Sequence, residues 1–251
     1  MSKPIRAVFT NENFAAAFRY VKSLCEDPRN GIRNLVLLVP MKANAQSSTT
    51  LGSCLGDSVC KVLGKGKAVS IADIPMHLET KKTLSHLSVD TLVICAYASK
   101  DLMDKIDAAG PVAGVVALPF SGGAVEQWIK SWSPLIDGAA PAQVQALIDD
   151  PVVQQAMQGL TDGINLAHSI LNTRDKEHAN RTLRILRRKK HGFDPQALRA
   201  WAVGKSWKPS AADELYALAT KILQLKAVPK VDRPDAADHT YSYWVEEVEK
   251  R

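Results

Sequence analysis

The sequence predicts a mostly parallel five-stranded α/β sheet with helices on both faces, followed by an all-helical region. Three observations carry this. Short apolar or β-branched runs recur through the first half and vanish beyond about residue 134. Two of them, 35–39 and 92–96, are continuous rather than alternating, as strands covered on both faces require. Between the runs, apolar residues recur at three and four positions, which is helix spacing.

In order, the predicted strands are 5–10, 34–40, 67–73, 91–97 and 112–119. Phe14, Phe18, Val21 and Leu24 share one helix face after the first. Leu51, Leu55, Val59 and Val62 follow the second, Leu102 and Ile106 the fourth, and Val125 and Ile129 the fifth. Strands alternating with helices argue for a parallel sheet joined by right-handed crossovers. The pattern resembles Rossmann-like and flavodoxin-like architectures, a likeness of fold that carries no function.

Ser131 to Pro141 reads as a junction, so the expected organisation is an α/β domain over 1–134, a helical domain over 141–228 and a tail over 229–251. Helices are predicted at 143–148, 152–160, 164–171, 178–190, 195–203 and 210–225. Asp150-Pro151 and Asp194-Pro195 each place a capping acid before a proline at the first helical position. Ser210 with Asp213 resembles a capping box. Tyr241, Tyr243 and Trp244 would anchor the tail against the body or a neighbour.

Charge is uneven. Residues 174–208 hold eleven Lys/Arg against three acids, so +8 of a formal net +6 lies there and the remainder carries −2. On 178–190, Arg181, Arg184 and Arg188 recur at three and four residues, flanked by Arg187, Lys189 and Lys190. Cations on one helix side suit a phosphate backbone, because each neutralised phosphate releases a counterion. Three helices in series outline a helix-turn-helix-like unit packed by Trp201 and Trp207. Its candidate reading helix, however, exposes Asp213 and Glu214. Segment 174–208 is therefore read as contacting nucleic acid or an acidic protein surface, or as a merely solvated basic face.

A parallel sheet binds ligands beyond its strand carboxyl ends. Ser121, Gly122 and Gly123 open a helix there and would offer free N–H groups to an anion. Ser48, Thr49 and Lys100, with Lys42, would supply hydroxyls and charge for a phosphorylated small molecule. Asp73 and Asp101 are the acid–base candidates, with Glu12 on the same rim. Ser, Thr and Gly also serve ordinary capping and turning.

The familiar fingerprints are missing. No GxGxxG follows the first strand, and Gly64-Lys65-Gly66-Lys67 precedes a strand where a P-loop follows one. Ser58-Val59-Cys60-Lys61 matches SxxK without its companion motifs. The four cysteines complete no zinc pattern with the histidines, and His77 and His86 read as solvated. Met1 to Arg6 lacks an apolar stretch before its first polar residues, which predicts no signal peptide, and no run approaches the roughly 18 residues of a membrane span. These features predict a cytoplasmic protein. They favour a binding or regulatory role, with an enzyme of nucleotides or phosphorylated metabolites, and an assembly subunit, as alternatives. They name no cofactor.

Overall fold

The computed structural model describes residues 4–10, 13–140, 146–168 and 171–250. The chain divides into two compact units, Met1–Val144 and Gln145–Arg251.

The first unit is mixed α/β. Its strands are β1 (Ile5–Val8), β2 (Asn34–Val39), β3 (Val69–Ile71), β4 (Ile74–Thr80), β5 (Thr91–Ala98), β6 (Gly114–Pro119) and β7 (Leu135–Ile136). They form one sheet in the order β3-β4-β2-β5-β6-β1-β7. Every neighbouring pair is parallel except β3 with β4. Seven strands among the described residues replace the five expected. The run 67–73 is not a parallel strand but the first arm of a hairpin. Its turn residues, Ala72 and Asp73, both adopt left-handed φ, 46° and 64°, as a two-residue hairpin turn demands. The parallel member is β4. The last strand, β7, pairs with β1 beyond Pro134, so the sheet extends past residue 134 into the expected junction.

Alternation along the parallel strands separates two apolar layers. Ala7, Leu35, Leu37, Ile94 and Val116 face α1 (Phe14–Glu26), α2 (Lys42–Ser47), α3 (Thr49–Leu55) and α4 (Asp57–Gly64) through Phe14, Phe18, Ala45, Leu51 and Leu63. Val8, Leu38, Val93, Cys95 and Ala117 face α5 (Lys100–Ala109) and α6 (Glu126–Trp132) through Leu102, Ile106 and Trp128. Connections that step toward β3 lie on the first face and those that step toward β7 on the second, as a single crossover hand requires.

The second unit is helical: α7 (Pro151–Gly163), α8 (Thr173–Arg188), α9 (Pro195–Gly204), α10 (Pro209–Leu223) and α11 (Pro234–Glu249). The two Asp-Pro starts form as expected. Asp150 accepts from the backbone N–H of Val152 and Val153, and Asp194 from Gln196 and Ala197. The capping box at Ser210 does not, because α10 begins one residue earlier at Pro209, with Lys208 as its cap. Residues 146–150 and 164–168 are not helical; the rest of the helices expected at 143–148 and 164–171 falls partly outside the described residues. The tail holds an unexpected helix, α11, which packs against α7 and α8. Trp207 is buried and donates to Thr161 Oγ1 on α7 at 3.0 Å. Trp201 instead lies partly exposed under Lys205, 5.4 Å from its ring.

Candidate functional site

Strand order locates the crevice of the sheet. From β2 the chain steps toward β4, and from its neighbour β5 it steps toward β6. Diverging connections open a crevice at the carboxyl ends of β2 and β5. Tyr97 lies there, with φ of 58°, beside the register shift between Ala96 and Ala98. A bulky residue in the left-handed region is uncommon and strained. Its hydroxyl pairs with Ser48 Oγ, and its ring meets Phe14 edge-on at 6.2 Å. Ser48 also caps α3, accepting from Leu51 N–H at 3.0 Å. Thr49 is the first, exposed residue of α3.

The other rim candidates are not gathered into one site. Lys100 pairs with Asp104 at 2.6 Å. Asp101 pairs with Lys81 at 2.6 Å, and that hydrogen bond and charge hold its carboxyl below the usual range. An exposed carboxylate kept ionised is a poor proton donor near neutrality. Asp73 does not reach this rim. It precedes β4, so its turn sits at the amino edge of the parallel strands. Ser121 leads into a single 3₁₀ turn, Gly122–Val125, rather than directly into α6. A Cβ on Gly123 would meet no atom within 4 Å. Asn11 and Glu12 lie outside the described residues.

The basic segment divides by what its side chains touch. Arg184 donates to Asn180 Oδ1 at 2.9 Å and to the Lys230 carbonyl at 3.0 Å. Arg187 donates to the Leu225 carbonyl. Lys189 pairs with Asp238 on α11 at 2.9 Å and lies 4.8 Å from the Tyr241 ring. Arg184 and Lys189 hold the tail against the end of α8, and Arg187 holds the turn after α10. Arg188 and Lys190 are exposed. Of the predicted stripe, Arg181 and Arg184 line a cleft of about 750 Å³ between α8 and residues 230–233.

Three further cations line that cleft: Arg174, Lys230 and Arg233. Sequence spacing missed the last two, because they come from a loop that only tertiary packing brings beside α8. Three acids share the wall, Asp175, Glu177 and Asp232, leaving a net +2 against five cations. Asp175 is buried and occupied by Asn172, which donates to it at 2.8 Å. Arg181 Nε is buried without a hydrogen-bond partner. His178 borders the cleft, and burial, then the charge of Arg181, lowers its pKa.

On the expected reading helix, Asp213 and Glu214 are engaged. Asp213 binds the nearly buried Arg199 of α9 at 2.6 Å, and Glu214 pairs with Lys176 at 3.3 Å. Near the start of α7, His191 Nδ1 meets Asp150 Oδ2 at 2.6 Å and its Nε2 meets the Tyr241 hydroxyl at 3.1 Å. Burial alone would raise the Asp150 carboxyl, but the His191 and backbone hydrogen bonds outweigh it and hold it low. This chain joins the α7 cap, the turn after α8 and α11. Of the tail aromatics, Trp244 is buried, Tyr241 is bound to His191, and Tyr243 is half exposed.

All four cysteines are free, and burial pushes the Cys95 thiol far above its usual range. Among the described residues, no three His, Cys, Asp or Glu side chains cluster closely enough to hold a metal ion, and no helix is long and apolar enough to cross a membrane.

Residues 149–245 match a family described as Domain of unknown function (DUF1889). The match contains the whole cleft and the Asp150–His191–Tyr241 chain. No curated protein and no solved structure matches the chain.

Proposed function

We propose that this is a cytoplasmic binding protein whose helical unit holds a single strand of nucleic acid through the cleft beside α8. The carrying observation is five cations, Arg174, Arg181, Arg184, Lys230 and Arg233, around one groove of about 750 Å³. Phosphates spaced along a chain reward such an arrangement, and an open groove suits one strand better than a duplex. The cleft lining includes no Phe, Tyr or Trp, so the reading predicts little preference among bases. The test is binding to a thymidine 20-mer with an Arg174→Glu, Arg181→Glu, Arg233→Glu variant. Loss of binding supports the reading. Equal binding by variant and wild type refutes it, and binding only to an acidic peptide would transfer the cleft to an acidic protein partner.

A second reading rests on Tyr97. The α/β unit is read as a Rossmann-like domain forming its own domain, with a phosphorylated small ligand at the crevice between β2 and β5 beside Ser48, Thr49 and Lys100. Backbone strain at the switch point favours it. Thermal-shift measurements with phosphorylated nucleosides test it: no stabilisation, or stabilisation unchanged by Ser48→Ala, rejects the site.

A further inference from the structure

We infer that the amino edge of the sheet carries a separate binding site for a small monocarboxylate with an aromatic or branched apolar body. The site is a cleft of about 310 Å³ bordered by Pro4, Ile5, Arg6, Tyr20, Trp132 and Leu135. It lies at the start of β1 and β7, opposite the rim where parallel sheets usually bind ligands. Its size falls at the small end of ligand pockets.

Arg6 sets the chemistry. A guanidinium has five N–H donors. Among the described residues its one hydrogen bond runs from Nη1 to the Ile5 carbonyl at 3.1 Å, while Nε is buried with no partner. Among the described residues no carboxylate forms an ion pair with Arg6. The acid that acts on it, Asp107, is partly buried and already accepts from Trp132 Nε1 at 3.1 Å. The Arg6 guanidinium lies 4.8 Å from the Trp132 ring centroid, and burial pulls its pKa below the usual arginine value. A buried guanidinium N–H left without a partner is costly unless an acceptor takes it. Apart from Ser133 and the Tyr20 hydroxyl, the remaining walls are apolar or aromatic, so most of the rest of the ligand is apolar. Because the charge of Asp107 already acts on Arg6, a doubly charged phosphate would be disfavoured more than a singly charged carboxylate, whose two oxygens match the guanidinium fork.

The test is calorimetric titration of the full chain with phenylacetate, phenylacetamide, acetate and phenyl phosphate. Phenylacetate is expected to bind at least tenfold tighter than each of the others. Arg6→Met removes the charge and keeps the stem, and should lose that preference. Arg6→Lys, which keeps the charge without the fork, should retain the preference over the amide but bind several-fold more weakly than wild type. The wild-type comparison decides the matter if Arg6→Met fails to fold. No binding of phenylacetate, or equal binding of its amide, overturns the proposal. So does phenylacetate binding that survives Arg6→Met but disappears in the Arg174→Glu, Arg181→Glu, Arg233→Glu variant, since the ligand would then occupy the helical cleft.

Discussion

The cleft beside α8 makes a quantitative prediction about salt. Each phosphate neutralised on a single strand contributes about −0.7 to the slope of log K against log salt. Five cations line the groove, so the limiting slope is about −3.5. Between 50 and 200 mM salt, affinity for a thymidine 20-mer should then fall roughly a hundredfold. Neutralising Arg174, Arg181 and Arg233 to Gln leaves two cations, a slope of about −1.4 and a fall of roughly sevenfold. Lys205 lies on Trp201, outside the groove, and Lys205→Gln should leave the slope unchanged. Fluorescence anisotropy with a labelled oligonucleotide at four salt concentrations measures all three. A wild-type slope shallower than −1, or a triple-variant slope equal to wild type, refutes the assignment of these residues to a phosphate-binding wall.

Three other outcomes follow from the packing. The Asp107 carboxyl is pushed up to about 6 by burial, against a Trp132 hydrogen bond that lowers it. A raised acid favours its protonated form in the fold, so it costs nothing below its ordinary 3.8 and up to about 3 kcal/mol above 6. Asp107→Asn should therefore stabilise the protein in urea at pH 8, less what Arg6 loses, and not at pH 3.5; a gain that is larger in acid contradicts the argument. His191→Ala breaks the bonds to Asp150 and Tyr241 and should lower unfolding free energy by about 1–3 kcal/mol, read as a lower urea midpoint, whereas an unchanged midpoint would show the chain to be idle. Arg187→Ala should cost about 1–3 kcal/mol because the Leu225 carbonyl loses its donor, while exposed Arg188→Ala should stay within about 0.5 kcal/mol; equal costs by thermal unfolding would mean the two arginines are not distinguished by burial.

The parallel centre of the sheet was legible because β2 and β5 are covered on both faces and so read as unbroken apolar runs. The hairpin was not. Its turn uses Ala72 and Asp73 in the left-handed region, where glycine or asparagine would have announced it. Two-residue β7 is too short for any periodicity to register. Helix α11 was hidden by polarity: Ala237 and Trp244 are its buried residues, too few for an apolar stripe. The cations of α8 were visible at three- and four-residue spacing, but spacing cannot tell a side chain facing solvent from one bonded to a carbonyl 38 residues away, as Arg187 is. Nor can it bring Lys230 and Arg233 to the same wall, or Arg6 onto Trp132.

Arg184 has a consequence beyond its own charge. It belongs to one wall of the cleft and grips the carbonyl of Lys230 on the other. The groove is therefore a conjunction of two stretches of chain, and neither stretch is a receptor alone. A proteolytic cut between residues 225 and 230 would spare every arginine of α8 and yet unmake the receptor. Loss of binding on mild digestion, ahead of any loss of helix content, would be the mark of such a composite surface.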